Sequence, residues 1–199
     1  MNPFERLWKL EASVNTLILN GKRSPEEVLR FLQRFIDEPD LNSDPVYLKC
    51  ISLGEEIILH PTDGAETIAK ATDVFNAHID PGFRNYDVSM KPTKLMKVSV
   101  HELIENGTFL RLFESLGKDL DRLCLTQGQI KQFCKEHSDW LRTSGYATFF
   151  LVRANDRYFV AHVYRCSNGS LGVHAQRFPH GHTWEAAYAD RIVVPQLSA

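Results

Sequence analysis

From Thr126 onward, the apolar positions Ile130, Phe133, Cys134, His137, Trp140 and Leu141 recur at steps of three, one, three, three and one. A single stripe at that spacing predicts an amphipathic helix. Thr126 and Gln129 stand at the spacing of a capping box, which fixes where the helix starts, and Thr143-Ser144-Gly145 closes it. Beyond that point the period changes to that of strands. Residues 146–153, 157–166 and 171–178 are rich in aromatic and β-branched side chains. They are separated by Ala154-Asn155-Asp156 and Ser167-Asn168-Gly169-Ser170, each short enough for a hairpin. A further strand at 191–194 ends at Pro195.

Upstream the pattern is less regular. Phe4, Leu7, Trp8, Val14, Leu17 and Ile18 fall near helical spacing before Asn20-Gly21. Ser24, Pro25 and Glu27 then open a second apolar stripe running from Val28 to Ile36. These two segments predict a helical hairpin over residues 1–40. The acid- and turn-rich run 37–45 is read as a boundary, with an α+β domain over residues 45–199. In the middle segment, residues 46–51 and 56–60 read as a hairpin around Ser52-Leu53-Gly54-Glu55, and residues 66–75 as a short helix. Residues 95–103 read as a strand and 109–116 as a helix stopped by Gly117. The fold class expected from the pattern is therefore α+β: an N-terminal helical hairpin, a mixed middle segment, and a helix packed on a C-terminal antiparallel meander of three to four strands.

Composition narrows the function classes. The 199 residues are 43% hydrophobic with a net charge of −2, a balance that marks neither a strongly basic nucleic-acid binder nor an acidic tail. The charge is unevenly spread, net −6 over residues 1–80 and net +4 over residues 81–199. No apolar run approaches the ~20 residues of a membrane span, and Glu5, Arg6 and Lys9 interrupt the first ten residues where a secretory signal would be apolar. The four cysteines are scattered and form no C-x-x-C pair. A cytoplasmic protein with reduced thiols, no membrane partner and no cofactor is expected. No P-loop, G-x-G-x-x-G, G-x-S-x-G or H-E-x-x-H pattern occurs.

Residues 48–56 through Pro61-Thr62-Asp63-Gly64, residues 123–127 through 140–146, and the closing Arg191-Ile192-Val193-Val194-Pro195-Gln196 resemble a group of uncharacterised bacterial hypothetical proteins. The resemblance covers most of residues 46–196 and leaves the N-terminal hairpin outside. It implies a bacterial or mobile-element origin and a cytosolic setting, and it brings no activity, ligand or catalytic residue.

Candidate chemistry gathers in residues 173–185, which hold His174, Arg177, His180, His182 and Glu185. A lone His180-x-His182 with Glu185 is a thin ligand set for a metal, and no metal site is expected. Alternation along two paired strands would place Tyr158, Val160, His162 and Tyr164 on one face and His174 and Gln176 on one face of the neighbour. Should those faces coincide, Tyr158, His162, Tyr164 and His174 would form a ligand-binding platform of rings, chemistry that single-stranded RNA readers use. The opposite face, Phe159, Ala161 and Val163, is equally apolar, so the pattern leaves open which face meets water. The best reading is a non-enzymatic binding or interaction module, with RNA or a protein as partner. The alternative is a metal-independent, ribonuclease-like phosphodiesterase using His174, Arg177, His182 and Glu185.

Overall fold

The run Ala147–Ala154 is buried at every position but Arg153, which requires cover on both faces and a neighbour along each edge. In the computed structural model it is the central strand β5 of one mixed, eight-stranded sheet. The structure describes residues 16, 19–20, 24–26, 28–29, 46–144, 146–178 and 181–196. The chain divides into two units, Met1–Asp44 and Pro45–Ala199, and the sheet belongs to the second. The helical hairpin expected over residues 1–40 lies outside the described residues, apart from those few positions.

The strands are β1 (Leu48–Cys50), β2 (Ile57–Leu59), β3 (His78–Ile79), β4 (Met96–Leu103), β5, β6 (Arg157–Arg165), β7 (Leu171–Arg177) and β8 (Arg191–Pro195). Their order is β1-β4-β8-β5-β6-β7-β3, with β2 also on β4. This corrects the expected architecture of a helix on a three- or four-stranded meander. Strands β5, β6 and β7 do run as consecutive antiparallel neighbours. The last strand, however, does not extend them: β8 inserts between β4 and β5, antiparallel to one and parallel to the other. Its core, Ile192, Val193 and Val194, is apolar at successive positions and all buried, the signature of an interior strand with both faces covered rather than of a meander edge.

The expected hairpin of residues 46–60 is also corrected. Strands β1 and β2 lie end to end along β4, pairing with His101–Leu103 and Met96–Val98 respectively. The detour between them is held by the Ser52 hydroxyl, which accepts from the Val100 amide at 2.9 Å in place of a ladder carbonyl. Gly54 at φ +88° closes the turn. The helix expected at 66–75 reduces to a 3-10 turn, Ile68–Lys70. Ile68, Ala71, Val74 and Phe75 are buried at helix-like spacing, but the Ile68 amide donates to the Gln127 side chain at 3.0 Å.

Two α-helices of the described residues cover opposite faces. Helix α1 (Phe109–Leu116) packs Phe109 edge-on against Phe149 at 5.0 Å, in a core layer with Leu151, Val160, Ile192 and Val194. Helix α2 (Gln127–Glu136) begins with the reciprocal Thr126–Gln129 capping box. It packs Phe133 against Phe150 at 5.4 Å, in a layer with Val152, Phe159, Ala161, Val163 and Val173. Adjacent strand residues alternate between the layers, as the pleat dictates.

Candidate ring-stacking site at the sheet edge

On the α1 face, cover thins toward β7 and the edge strand β3. The register pairs His162 directly with His174 and Tyr164 with Gly172, so the two faces raised by alternation coincide. Gly172 has no side chain, and the Tyr164 ring lies across it; a Cβ there would overlap that ring. Tyr164 is thereby laid parallel to His174, with centroids 5.2 Å apart and planes 17° off. Beyond them β3 runs parallel to β7, bringing His78 level with Gly172 and its ring to 5.1 Å from that of His174. His78 is exposed, and His174 keeps 39% of its side-chain surface, so the stack is open on the side of the edge strand.

Asp80 follows from β3 and is fixed by the backbone around it. Its Oδ1 accepts from the Gly82 amide at 2.7 Å, capping the 3-10 turn Pro81–Tyr86, and its Oδ2 accepts from the Ala175 amide at 3.3 Å. The same Oδ2 stands 3.6 Å from His174 Nδ1, an ion-pair distance rather than a hydrogen bond. Burial pushes this carboxyl upward, but the two amides and His174 outweigh it and hold Asp80 below its ordinary range.

His162 is the opposite case. It is wedged between Phe149 at 5.3 Å and Trp184 at 5.6 Å, with His174 at 5.7 Å. Its Nδ1 and the Trp184 Nε1 are buried without a hydrogen-bond partner among the described residues. Burial first, and the neighbouring His174 second, lower its pKa to about 4, so it is neutral at physiological pH.

The remaining residues named from the sequence separate. Tyr158 shares the face but belongs to another network: its hydroxyl donates to Asp121 at 2.6 Å, and the Arg153 guanidinium sits 5.8 Å from its ring centroid. Arg177 pairs with Phe159 in the register and is exposed on the opposite face from His174. His182 is exposed with its ring 4.6 Å from that of Trp184. Glu185 is exposed at the start of the 3-10 turn Ala186–Tyr188. His180 lies outside the described residues. The structure thus brings together His162, Tyr164 and His174, and reaches His182 through Trp184.

Sequence reasoning missed His78 and Asp80, about 95 positions from His174. Asp80-Pro81-Gly82 is made of turn-forming residues, and the Gly82 amide closes that turn on Asp80 Oδ1. Nothing local marks a two-residue strand that docks parallel to β7. Also missed is an open groove of about 750 Å³ beside Tyr164, lined by Thr143 and Ser144 on one side and Tyr164, Arg165, Cys166 and Ser167 on the other. Next to it Tyr146 and Tyr188, both partly exposed, stack at 5.4 Å and 20°, with Arg142 over the Tyr146 ring at 5.1 Å.

Among the described residues, no group of three or more His, Cys, Asp or Glu side chains is placed to hold a metal ion, and no helix is long and apolar enough to cross a membrane. No family model, no curated protein and no solved structure matches this chain.

Proposed function

We propose that this protein binds single-stranded nucleic acid on the open end of its sheet, with bases stacking on the Tyr164–His174–His78 rings. The phosphate backbone would follow the groove past Arg165. The observation that carries the reading is the parallel Tyr164–His174 pair, laid flat by a bare Gly172 and left partly open to solvent. A planar base adds to such a stack without needing a sequence-specific hydrogen bond. The hydroxyls of Thr143, Ser144 and Ser167 and the Arg165 guanidinium beside Tyr164 are suited to phosphate and sugar oxygens. The stacked Tyr146–Tyr188 pair and Arg142 offer a second ring-and-cation station by the same groove. The catalytic set of His174, Arg177, His182 and Glu185 has less support, because Arg177 stands on the other face.

Fluorescence anisotropy with a labelled single-stranded RNA decamer tests the proposal. Binding should weaken as salt rises, and Tyr164→Ala and His174→Ala should each cost about 1–3 kcal/mol, the worth of one stacked base. Absence of binding at micromolar protein, or binding indifferent to both substitutions, defeats it.

A further inference from the structure

We infer that the same platform cleaves RNA by transesterification, with His174 as general base, Asp80 as the residue that positions it, and His78 as general acid. This rests on the nucleic-acid reading above and adds a reaction to it. Three features of the edge carry it.

The first is Asp80. Its carboxylate is fixed by two backbone amides, forms no ion pair with any described Lys or Arg, and faces His174 Nδ1. An acid beside Nδ1 selects the tautomer that carries its proton there, leaving the Nε2 lone pair available, and it stabilises the imidazolium formed when Nε2 takes a proton. The second is the surface of the ring. His174 makes no hydrogen bond through Nε2 among the described residues and keeps 39% of its side-chain surface, so a substrate hydroxyl can reach it. At 3.6 Å the Asp80 carboxylate is within ion-pair reach of the imidazolium that forms when Nε2 takes a proton. The third is His78, a second imidazole on the adjacent edge strand, exposed and 5.1 Å from His174 centroid to centroid. Two imidazoles at this separation can serve one displacement, one as base and the other as acid.

The step balances with these groups. His174 Nε2 removes the proton of a ribose 2′-hydroxyl, and the 2′-oxygen forms a bond to the adjacent phosphorus. The bond from phosphorus to the 5′-oxygen breaks, and His78 in its protonated form gives that oxygen its proton. The products are a 2′,3′-cyclic phosphate and a free 5′-hydroxyl, with His174 protonated and His78 neutral; proton exchange with water resets the pair. Tyr164, stacked on His174, holds the base whose ribose is attacked. His162, its Nδ1 buried and its ring held neutral, takes no proton in the step and stands as the wall beside His174.

The test incubates the full chain with a 5′-labelled single-stranded RNA decamer in excess chelator and identifies the new ends by mass, while anisotropy follows binding in parallel. The expected result is cyclic-phosphate ends from RNA and none from a 2′-O-methyl decamer that binds equally well. His174→Ala and His78→Ala should each lower the rate by about 10²–10⁴-fold. Asp80→Asn should lower it less and shift the limb of the pH–rate profile that reports the base. Because His78 is exposed, His78→Ala isolates the chemistry from folding. RNA that binds but is not cut overturns the reaction and spares the binding reading, whereas neither binding nor cutting overturns both. Cleavage undiminished in His78→Ala and His174→Ala, or seen equally with the 2′-O-methyl decamer, also overturns it.

Discussion

His162 and His174 face each other directly across β6 and β7, their rings 5.7 Å apart, yet only His174 has a carboxylate beside it. Burial holds His162 neutral down to about pH 4 in the folded protein, while in the unfolded chain it protonates near 6.5. Above 6.5 both states hold it neutral and it has no effect. As pH falls from 6.5 toward 4 the unfolded state takes up the proton and the native state does not, so stability is lost across that window, by about 3 kcal/mol in total. Half-buried His101, also lowered by desolvation, adds to the same trend. His162→Phe should therefore remove part of the acid sensitivity and leave the rest. Urea unfolding at pH 7 and at pH 4.5 checks this; identical losses in variant and parent would refute the role given to His162.

Gly172→Ala introduces a methyl group where the Tyr164 ring lies. The strand backbone accepts alanine, so the cost is displacement of the ring, about 1–3 kcal/mol as for other overpacked sites. The Tyr164–His174 stack should open with it. In a double-mutant cycle, Tyr164→Ala should make Gly172→Ala nearly neutral, because the clash has lost its second partner. Additive effects in thermal melts would show that Gly172 matters for some other reason.

Thr126→Ala removes one half of the capping box, in which the Thr126 hydroxyl accepts from the Gln129 amide and the Gln129 side chain accepts from the Thr126 amide. The expected cost is about 1 kcal/mol, with Thr126→Ser close to neutral. Circular-dichroism melts measure it, and RNA binding should not change. A loss of binding would mean that α2 takes part in the site.

How far the sequence reached depends on the range over which each feature is encoded. Helices α1 and α2 and strands β4 to β7 follow from local period, caps and turns: Thr126 with Gln129, Gly117 after Leu116, Asn155 and Asp156 at positive φ between β5 and β6. The stripe overran the end of α2, however, because the helix stops at Glu136 with His137 as its C-cap, and Ser138–Trp140 forms a 3-10 turn short of the expected stop at Thr143-Ser144-Gly145. Alternation put Tyr158, His162 and Tyr164 on one face of β6 and His174 on one face of β7, but the register that makes those faces coincide was not legible, nor was which rings stay open, since cover comes from Phe178 and Trp184, set by loops. Ile192-Val193-Val194 identified a strand while its place between β4 and β5 depended on pairings over 40 residues away. His78 and Asp80 were hidden for the same reason: a two-residue strand carries no period, and its meaning comes from β7.

Gln127 links that edge to the core. Fully buried, its Oε1 accepts from the Ile68 amide at 3.0 Å and its Nε2 donates to the Tyr86 carbonyl at 2.7 Å. Tyr86 ends the 3-10 turn that Asp80 caps, and its ring stacks on Phe159 at 4.1 Å and 16°. Gln127→Glu keeps the shape but, once ionised, sets an acceptor against the Tyr86 carbonyl, at a cost of about 1–3 kcal/mol at pH 7. The introduced carboxyl is neutral more readily in the folded state than in the unfolded, so its folded pKa is raised and the deficit relative to the parent shrinks as pH falls and the proton restores a donor. Gln127→Leu loses both bonds at every pH, and its deficit should be flat. Either change loosens the turn that aims Asp80 at His174. Either should therefore reduce any His174-dependent rate more than Thr126→Ala does at matched stability. Paired measurements of unfolding and RNA cleavage against pH check the claim, and equal rate losses at equal stability would show that the turn does not position Asp80.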